Sequence, residues 1–222
     1  MHAVKRAAKR AVAVAAAASV AVLTVLVLDT APAQAVRPPG IPSLSTAQSE
    51  LNALTVANEA NGDSYDRDLF PHWKAVDGTD GCTARQYVLK RDGSNVVTSD
   101  GCQPTSGTWE SDFDDATTTS VSNATIDHVV ALSEAWASGA SEWTTAERQA
   151  FANDINSPQL WIATTSANSS KSDYDPAEWM PVDTTGLRCD YVKAWTHVKY
   201  LYDLSVDSAE KTAIQSHFDT YC

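Results

Sequence analysis

The sequence predicts an α+β fold with much helix and little sheet, in one disulfide-stabilised domain at residues 45–222. Several segments carry helical spacing or helix-capping residues, whereas the strand-like runs are short and in part broken by glycine. The four cysteines are even in number and all follow an N-terminal segment with export features. A chain of 222 residues is long enough for one domain with a sizeable core.

The N-terminus has the three parts of a secretory signal peptide. Basic residues between positions 5 and 10 precede an Ala-, Val- and Leu-rich stretch at 11–28, and an Ala-Gln-Ala motif ends at Ala35. We therefore expect residues 1–35 to be cleaved and the mature protein to be secreted, extracellular and free of the membrane. An uncleaved anchor is the alternative, because about 18 apolar residues nearly span a bilayer. The proline-rich residues 36–44 predict an extended linker.

The first half of the domain is predicted to hold two helices and two strand regions. Ser45–Ala60 has apolar residues at helical intervals after a Ser/Thr start, and Thr83–Lys90 predicts a shorter helix. Residues 65–73 are rich in aromatics and contain a proline, which favours an irregular but packed segment. Short strands are predicted at Val96 and from Cys102 to Trp109, broken by glycines.

The middle of the domain predicts a strand followed by two helices. Ala124–Val130 reads as a strand, and Leu132–Ala137 as a helix that Gly139 stops. The segment Thr144–Asn153 predicts a second helix, because Thr144 is followed three positions later by Glu147, the pattern of a capping box.

The last quarter of the chain predicts one more strand and three helical segments. Gln159–Thr164 is a short apolar run typical of a buried strand. Asn168–Glu178 is polar and begins as a helix. Tyr191–Leu204 is amphipathic at helical intervals, and Ser208–Tyr221 predicts a final helix.

The cysteines of an exported chain predict two disulfide bonds. Cys82, Cys102, Cys189 and Cys222 allow three pairings, of which we expect the sequence-local one, Cys82–Cys102 and Cys189–Cys222. A zinc site is the alternative, and it is disfavoured because the sequence has no C-x-x-C pair.

The net charge excludes one simple function. The formal charge is −12, with 28 acidic and 16 basic residues. A passive DNA-binding module would carry a basic footprint, so this composition argues against one. It leaves open an enzyme that meets phosphate through a bound cation.

An acid and an imidazole, Asp127 and His128, stand side by side in an apolar setting. A buried carboxylate is costly unless it is paired or metal-bound. Hydrolysis of a phosphodiester needs a base that works near pH 7, such as imidazole, and a hard cation to neutralise negative charge. Asp127 together with the amide of Asn168 offers oxygens for such a cation, and Lys171 offers a point charge for phosphate. Neighbours on a strand point to opposite faces, so Asp127 and His128 can share a site only where the strand ends or twists.

The order of these residues resembles a known family. D-H-V-V, a helix, an apolar strand and N-x-x-K-S-D follow one another as in the HNH, or ββα-metal, nucleases. The stretches DHVVALSEAWASGASEW, ERQAFANDI, NSSKSDYDPAEWMP and RCDYVKAW are similar to secreted actinobacterial HNH proteins related to the C-terminal domain of GmrSD-type restriction endonucleases. The likeness covers roughly residues 82–222 and implies an embedded ββα-metal (HNH/His-Me finger) motif at 124–181.

The resemblance implies a role for each matching residue. His128 corresponds to the general base, and Asp127 and Asn168 correspond to the metal ligands. The middle amide of the family, which helps to orient the base, aligns with Gln159. This is a departure, because the family has asparagine there, and Asn153 or Asn156 could take the role instead.

The resemblance thus implies a secreted HNH endonuclease that hydrolyses nucleic acid, with DNA as the expected substrate, and we expect a monomer. The expected cofactor is a divalent metal, Mg²⁺ or else Mn²⁺. Two alternatives remain at this stage. One is a non-catalytic extracellular binding domain on the same fold, which would not need His128. The other is a metal-dependent phosphodiesterase acting on a non-nucleic substrate.

Overall fold

The computed structural model describes residues 36–111, 113–182 and 186–222. The predicted signal peptide at 1–35 lies outside these residues. The elements follow in this order: α1 (Leu44–Ala53), α2 (Ala84–Asp92), β1 (Ser94–Thr98), β2 (Pro104–Ser111), β3 (Ala116–Thr118), β4 (Ala124–His128), α3 (Leu132–Ala137), α4 (Thr145–Ala152), β5 (Leu160–Thr164), α5 (Thr165–Lys171), α6 (Leu187–Leu201) and α7 (Ser208–Tyr221). The mixed α+β class is confirmed, and none of the helices so described is long and apolar enough to cross a membrane.

The strands form two small antiparallel sheets. One sheet has the order β1-β2-β3, and the other consists of β4 and β5 alone. In the second sheet Asp127 lies opposite Trp161 and His128 opposite Leu160. The pairing therefore fixes the end of β4, where the acid and the imidazole stand.

The β4–β5 pair lies between two apolar clusters. One cluster gathers α1, α3, α6 and α7 around fully buried side chains such as Tyr191 and Trp195, and it includes Trp161 of β5. The other packs α2 against Trp109 and against Ile126 and Ile162 of the strand pair. Every residue of β5 is buried because both faces of the strand meet a cluster, which explains its unbroken apolar sequence.

Capping residues fix where several helices begin. Thr144 accepts a hydrogen bond from the backbone of Glu147 while the Glu147 side chain accepts one from Thr144, so the predicted capping box is confirmed. Thr83 with Gln86 forms a second such box at α2. The predictions of α3 and α7 are confirmed to the residue.

Three predicted helices have other limits in the structure, and the one predicted at Tyr191–Leu204 spans Leu187–Leu201. The first helix ends at Ala53 rather than Ala60, because Val56 leaves the helix to form a bridge with Val206. The polar segment predicted at 168–178 is helical only as far as Lys171, and the helix starts earlier, at Thr165, because Thr164 caps it. Ser172, at φ 54°, then turns the chain out of the helix.

Both disulfides join residues that are close in sequence, as predicted. Cys82–Cys102 ties the start of α2 to the loop between β1 and β2. Cys189–Cys222 ties α6 to the end of α7. In the chain-entropy view, loops of 20 and 33 residues correspond to about 3–4 kcal/mol of stabilisation each.

Candidate active site

A cavity of about 330 Å³ opens at the end of β4. Three residues singled out from the sequence, Asp127, His128 and Asn168, all contribute to its wall. The rest of the lining is Tyr65, Arg67, Ile126, Ala131, Leu132, Ser133, Ser172 and Asp173. The fold therefore brings the carboxylate, the imidazole and the amide to one solvent-connected space.

The end of the strand explains how sequence neighbours reach one cavity. β4 stops at His128, and α3 begins four residues later at Leu132. Asp127 and His128 are both paired in the strand, and they reach one cavity because it lies at the end of β4, where the strand no longer separates its two faces. Asn168 joins from α5, where its amide nitrogen donates to Thr125 Oγ1 of β4 at 3.4 Å.

Asp127 is 6 % exposed and forms an ion pair with Lys171, with 3.0 Å between Oδ2 and Nζ. Among the described residues Oδ2 has no hydrogen bond of standard geometry in addition to this contact. Burial raises the pKa of the Asp127 carboxyl, while the Lys171 charge acts in the opposite direction.

Lys171 does not reach the cavity. Its side chain is fully buried, and Nζ donates to the backbone carbonyl of His128 at 3.0 Å besides pairing with Asp127. The expectation that Lys171 contacts a substrate phosphate is therefore wrong for this structure. Lysine is needed here because a carboxylate placed in the interior requires a compensating charge.

His128 is held as a neutral imidazole with a defined tautomer. Its Nε2 lies 2.9 Å from the carbonyl oxygen of Ala152, and since a carbonyl only accepts, Nε2 carries the proton. Nδ1 is then the unprotonated nitrogen. Burial is the main cause that lowers the pKa of His128 to about 3, and the positive charges of Arg67 and Lys171 add to it. The ring is therefore in its proton-accepting form at neutral pH.

Trp73 stacks on the His128 ring, with 5.3 Å between ring centroids and 26° between planes. The backbone of Trp73 has φ 54°, a region that bulky residues rarely occupy. Asn153 holds this strained segment: its side chain accepts from Lys74 N and donates to Pro71 O, each at 2.8 Å. Asn153 thus positions the aromatic residue that covers the imidazole.

Gln159 lies beside the site without contacting the imidazole. Its amide oxygen accepts a hydrogen bond from Val130 N at 3.2 Å, and its amide nitrogen donates one to Val130 O at 2.9 Å. The expectation that the Gln159 amide orients the imidazole is corrected, because the ring N–H of His128 donates to the backbone carbonyl of Ala152 instead. Asn156, the other alternative, lines a different cavity.

The sequence reasoning missed three residues of one short segment: Tyr65, Arg67 and Trp73. The first two line the cavity, and the third covers His128. They stand about 55–60 positions ahead of Asp127 and His128 and form no motif with them. The only sequence signal was the aromatic content of residues 65–73, which indicated packing.

The donor set suits a hard divalent cation. Asp127 and Asn168 both line the cavity, and the nitrogen of the Asn168 amide is bonded to Thr125, which leaves the amide oxygen. A carboxylate and an amide oxygen in a polar, solvent-connected cavity match the preference of Mg²⁺ for few protein oxygens and several waters. These observations fit the cofactor expected from the sequence, which stays a prediction.

The fold is α+β, and the site is a polar cavity beside a buried acid and imidazole. The amino-acid sequence is similar to those of known proteins. The profile of the GmrSD restriction endonucleases, C-terminal domain, matches residues 84–216. A fungal protein from Arthroderma benhamiae, described as an uncharacterized secreted protein, is 48% identical over 200 residues, which is 90% of this chain and 97% of the fungal one. No solved structure matches significantly.

The chain therefore belongs to the family of the C-terminal domain of GmrSD restriction endonucleases, a nuclease-related family. The protein is secreted, as its similarity to a secreted protein and its two disulfides show. The relative found is fungal, so an actinobacterial affinity stays a prediction.

Proposed function

We propose that the protein is a secreted, divalent-metal-dependent endonuclease of the HNH class that hydrolyses phosphodiester bonds of nucleic acid, DNA in the first place. One observation carries the proposal: Asp127, His128 and Asn168 line one cavity of about 330 Å³, although only the first two are neighbours in sequence. Membership of a nuclease-related family supports the same reading.

His128 would act as the general base. Its Nδ1 is free of the proton because Nε2 donates to Ala152, and stacking on Trp73 limits rotation of the ring. A base must be unprotonated before it takes a proton from water, and a buried neutral imidazole meets this condition. A bound phosphate beside the ring would raise the pKa of His128, because a nearby negative charge favours the protonated form.

Asp127 and Asn168 would hold the divalent cation, Mg²⁺ or Mn²⁺. When bound there, such a cation stabilises negative charge on the phosphate and on the leaving oxygen. Lys171 keeps the Asp127 carboxylate in place and favours its charged form, which is the form that binds a cation. Lys171 is thus a positioning residue in this proposal, as is Gln159, which fixes the backbone just beyond His128.

Degradation of plasmid DNA in the presence of Mg²⁺ or Mn²⁺ tests the function, with the wild type compared with His128→Ala. We expect the variant to lose about a hundredfold or more in rate, in line with removal of a general base, and to keep its fold by circular dichroism. His217→Ala is the matched control, since His217 contacts Pro176 and Tyr221 away from the cavity. A wild type that leaves both DNA and RNA intact with these ions would refute the proposal in favour of a binding domain.

A further inference from the structure

We propose that Arg67 is the residue that binds the scissile phosphate of the substrate. The inference rests on the proposed function and adds a substrate contact to it. Arg67 lies ahead of the region that the family profile matches, which begins at residue 84. The part of the chain before the matched region would therefore supply one wall of the active site.

The carboxylates around the cavity would repel a phosphodiester unless a positively charged side chain lies among them. Asp127 and Asp173 both line the cavity, so a phosphodiester entering it meets two carboxylates. Lys171 cannot offset them, because it is fully buried and bonded to Asp127 and to the His128 carbonyl. Among the described residues that line the cavity, Arg67 is the one with a positively charged side chain.

Arg67 is exposed to solvent and lines the same cavity as Asp127 and His128. Tyr65, a second polar group, lines the same cavity. A guanidinium presents a planar fork of donors that matches two phosphate oxygens, and it keeps its charge at any relevant pH.

Hydrogen bonds on both sides of Arg67 fix the backbone turn that carries it. Arg67 begins a short 3₁₀ turn in which Asp66 accepts from Asp68 N at 2.9 Å. The turn ends at Leu69, whose carbonyl accepts from Arg148 Nε at 2.9 Å, and the next residue, Phe70, is fully buried in the main core. A donor on a fixed backbone loses less conformational freedom on binding than one on a free loop.

Steady-state cleavage of DNA by Arg67→Ala and Arg67→Lys tests the inference. We expect KM to rise about ten- to a hundredfold in Arg67→Ala, the loss of a charge-assisted contact, and Arg67→Lys to recover part of it. The difference in KM between the wild type and Arg67→Ala should become smaller as the salt concentration rises, because salt screens the charge of Arg67. Lys90→Ala, which removes the same charge from an exposed position on α2, should leave KM unchanged. Kinetics of Arg67→Ala equal to those of the wild type would overturn the inference and leave the proposed function standing.

A binding measurement separates this inference from the proposed function. Affinity for a fluorescent DNA duplex is compared in His128→Ala and in the double variant Arg67→Ala/His128→Ala, both inactive by design. A loss of about tenfold or more in affinity supports the phosphate contact even if the wild type shows no cleavage. Equal affinities in a protein that cleaves DNA overturn it.

Discussion

Two fully buried lysines, Lys171 and Lys199, solve the same problem in different surroundings. Lys171 pairs with one carboxylate, Asp127, and its partner borders an open cavity. Lys199 pairs with two, Glu134 at 2.5 Å and Glu210 at 2.7 Å, within the packing of α3, α6 and α7. Both lysines are buried beside carboxylates, so a buried ion pair by itself does not identify the candidate active site. The cavity and the neutral imidazole distinguish the first pair from the second.

The surroundings of Lys199 also contain more carboxyl groups than basic groups. Glu59, Asp175 and Asp207 have carboxylate oxygens within 4.8 Å of one another, near Glu134 and Lys199. Burial, opposed by Lys199 and reinforced by Glu134, raises the pKa of Glu210 to about 7. Although burial by itself lowers the pKa of Lys199, its two carboxylate partners outweigh that effect and raise it. The charge balance here therefore governs stability, whereas that around Lys171 governs the state of Asp127.

Replacing Lys199 is expected to have the largest effect on stability. Lys199→Met leaves Glu134 and Glu210 buried without a counter-charge, and the free energy of unfolding should fall by about 3–5 kcal/mol. Urea denaturation followed by tryptophan fluorescence measures it. Lys193→Met, on the same helix, breaks only the pair with Asp190 and should cost about 1 kcal/mol or less. Equal losses in the two variants would contradict the importance assigned to the buried network.

Lys171→Met should destabilise less, by about 1–3 kcal/mol, because its single carboxylate partner, Asp127, can be protonated and borders the cavity. The main consequence is electrostatic. Lys171 lowers the pKa of Asp127, so its removal raises that pKa, and the charged carboxylate appears only at higher pH. The pH profile of cleavage should therefore shift to higher pH. An unshifted profile would show that Lys171 does not act through Asp127.

The smallest effect concerns pH and the surplus of acid around Lys199. Although the Glu59 side chain is exposed, partial desolvation by its surroundings and the Glu134 carboxyl raise its pKa to about 7, so the folded state binds this proton more tightly than the unfolded state. The corresponding stability is present at pH 4.5 and is lost as pH rises through about 7. Glu59→Gln should therefore raise the melting temperature at pH 7.5 and flatten its fall between pH 5 and 7.5.

The effect of His128 on stability has the opposite dependence on pH. Its pKa is lowered to about 3, so its contribution to stability is present above pH 6.5 and fades as pH falls. For this reason Glu59→Gln is compared with Glu142→Gln, which removes one exposed carboxylate elsewhere and leaves His128 untouched. Identical pH curves for these two variants would refute a special role for Glu59.

Local signals in the sequence predicted the framework around the site well. The capping box of Thr144 and Glu147 set the start of α4, and the apolar run of β5 indicated a buried strand. The Asp127–His128 pair stood out because an apolar run rarely carries such side chains. These features depend on neighbours along the chain, so they can be read without the fold.

The direction of long polar side chains could not be predicted in this way. Asn168 and Lys171 share one helical face, yet the first lines the cavity and the second is buried against Asp127. Gln159, aligned with an orienting amide, proved to hold the backbone of Val130. In each case a partner distant in sequence decided where the polar atoms go.

The amino-acid sequence by itself determined the class of the fold, the local pairing of the cysteines and which acid and imidazole to examine. Periodicity, helix caps and short spacings depend on residues that are close in sequence, so they can be recognised without the tertiary structure. Only the tertiary structure decided that Lys171 serves Asp127 and that Arg67 and Trp73 complete the site from some 55–60 residues upstream. The reason is that burial and charge compensation are properties of a packed volume, to which distant segments contribute equally.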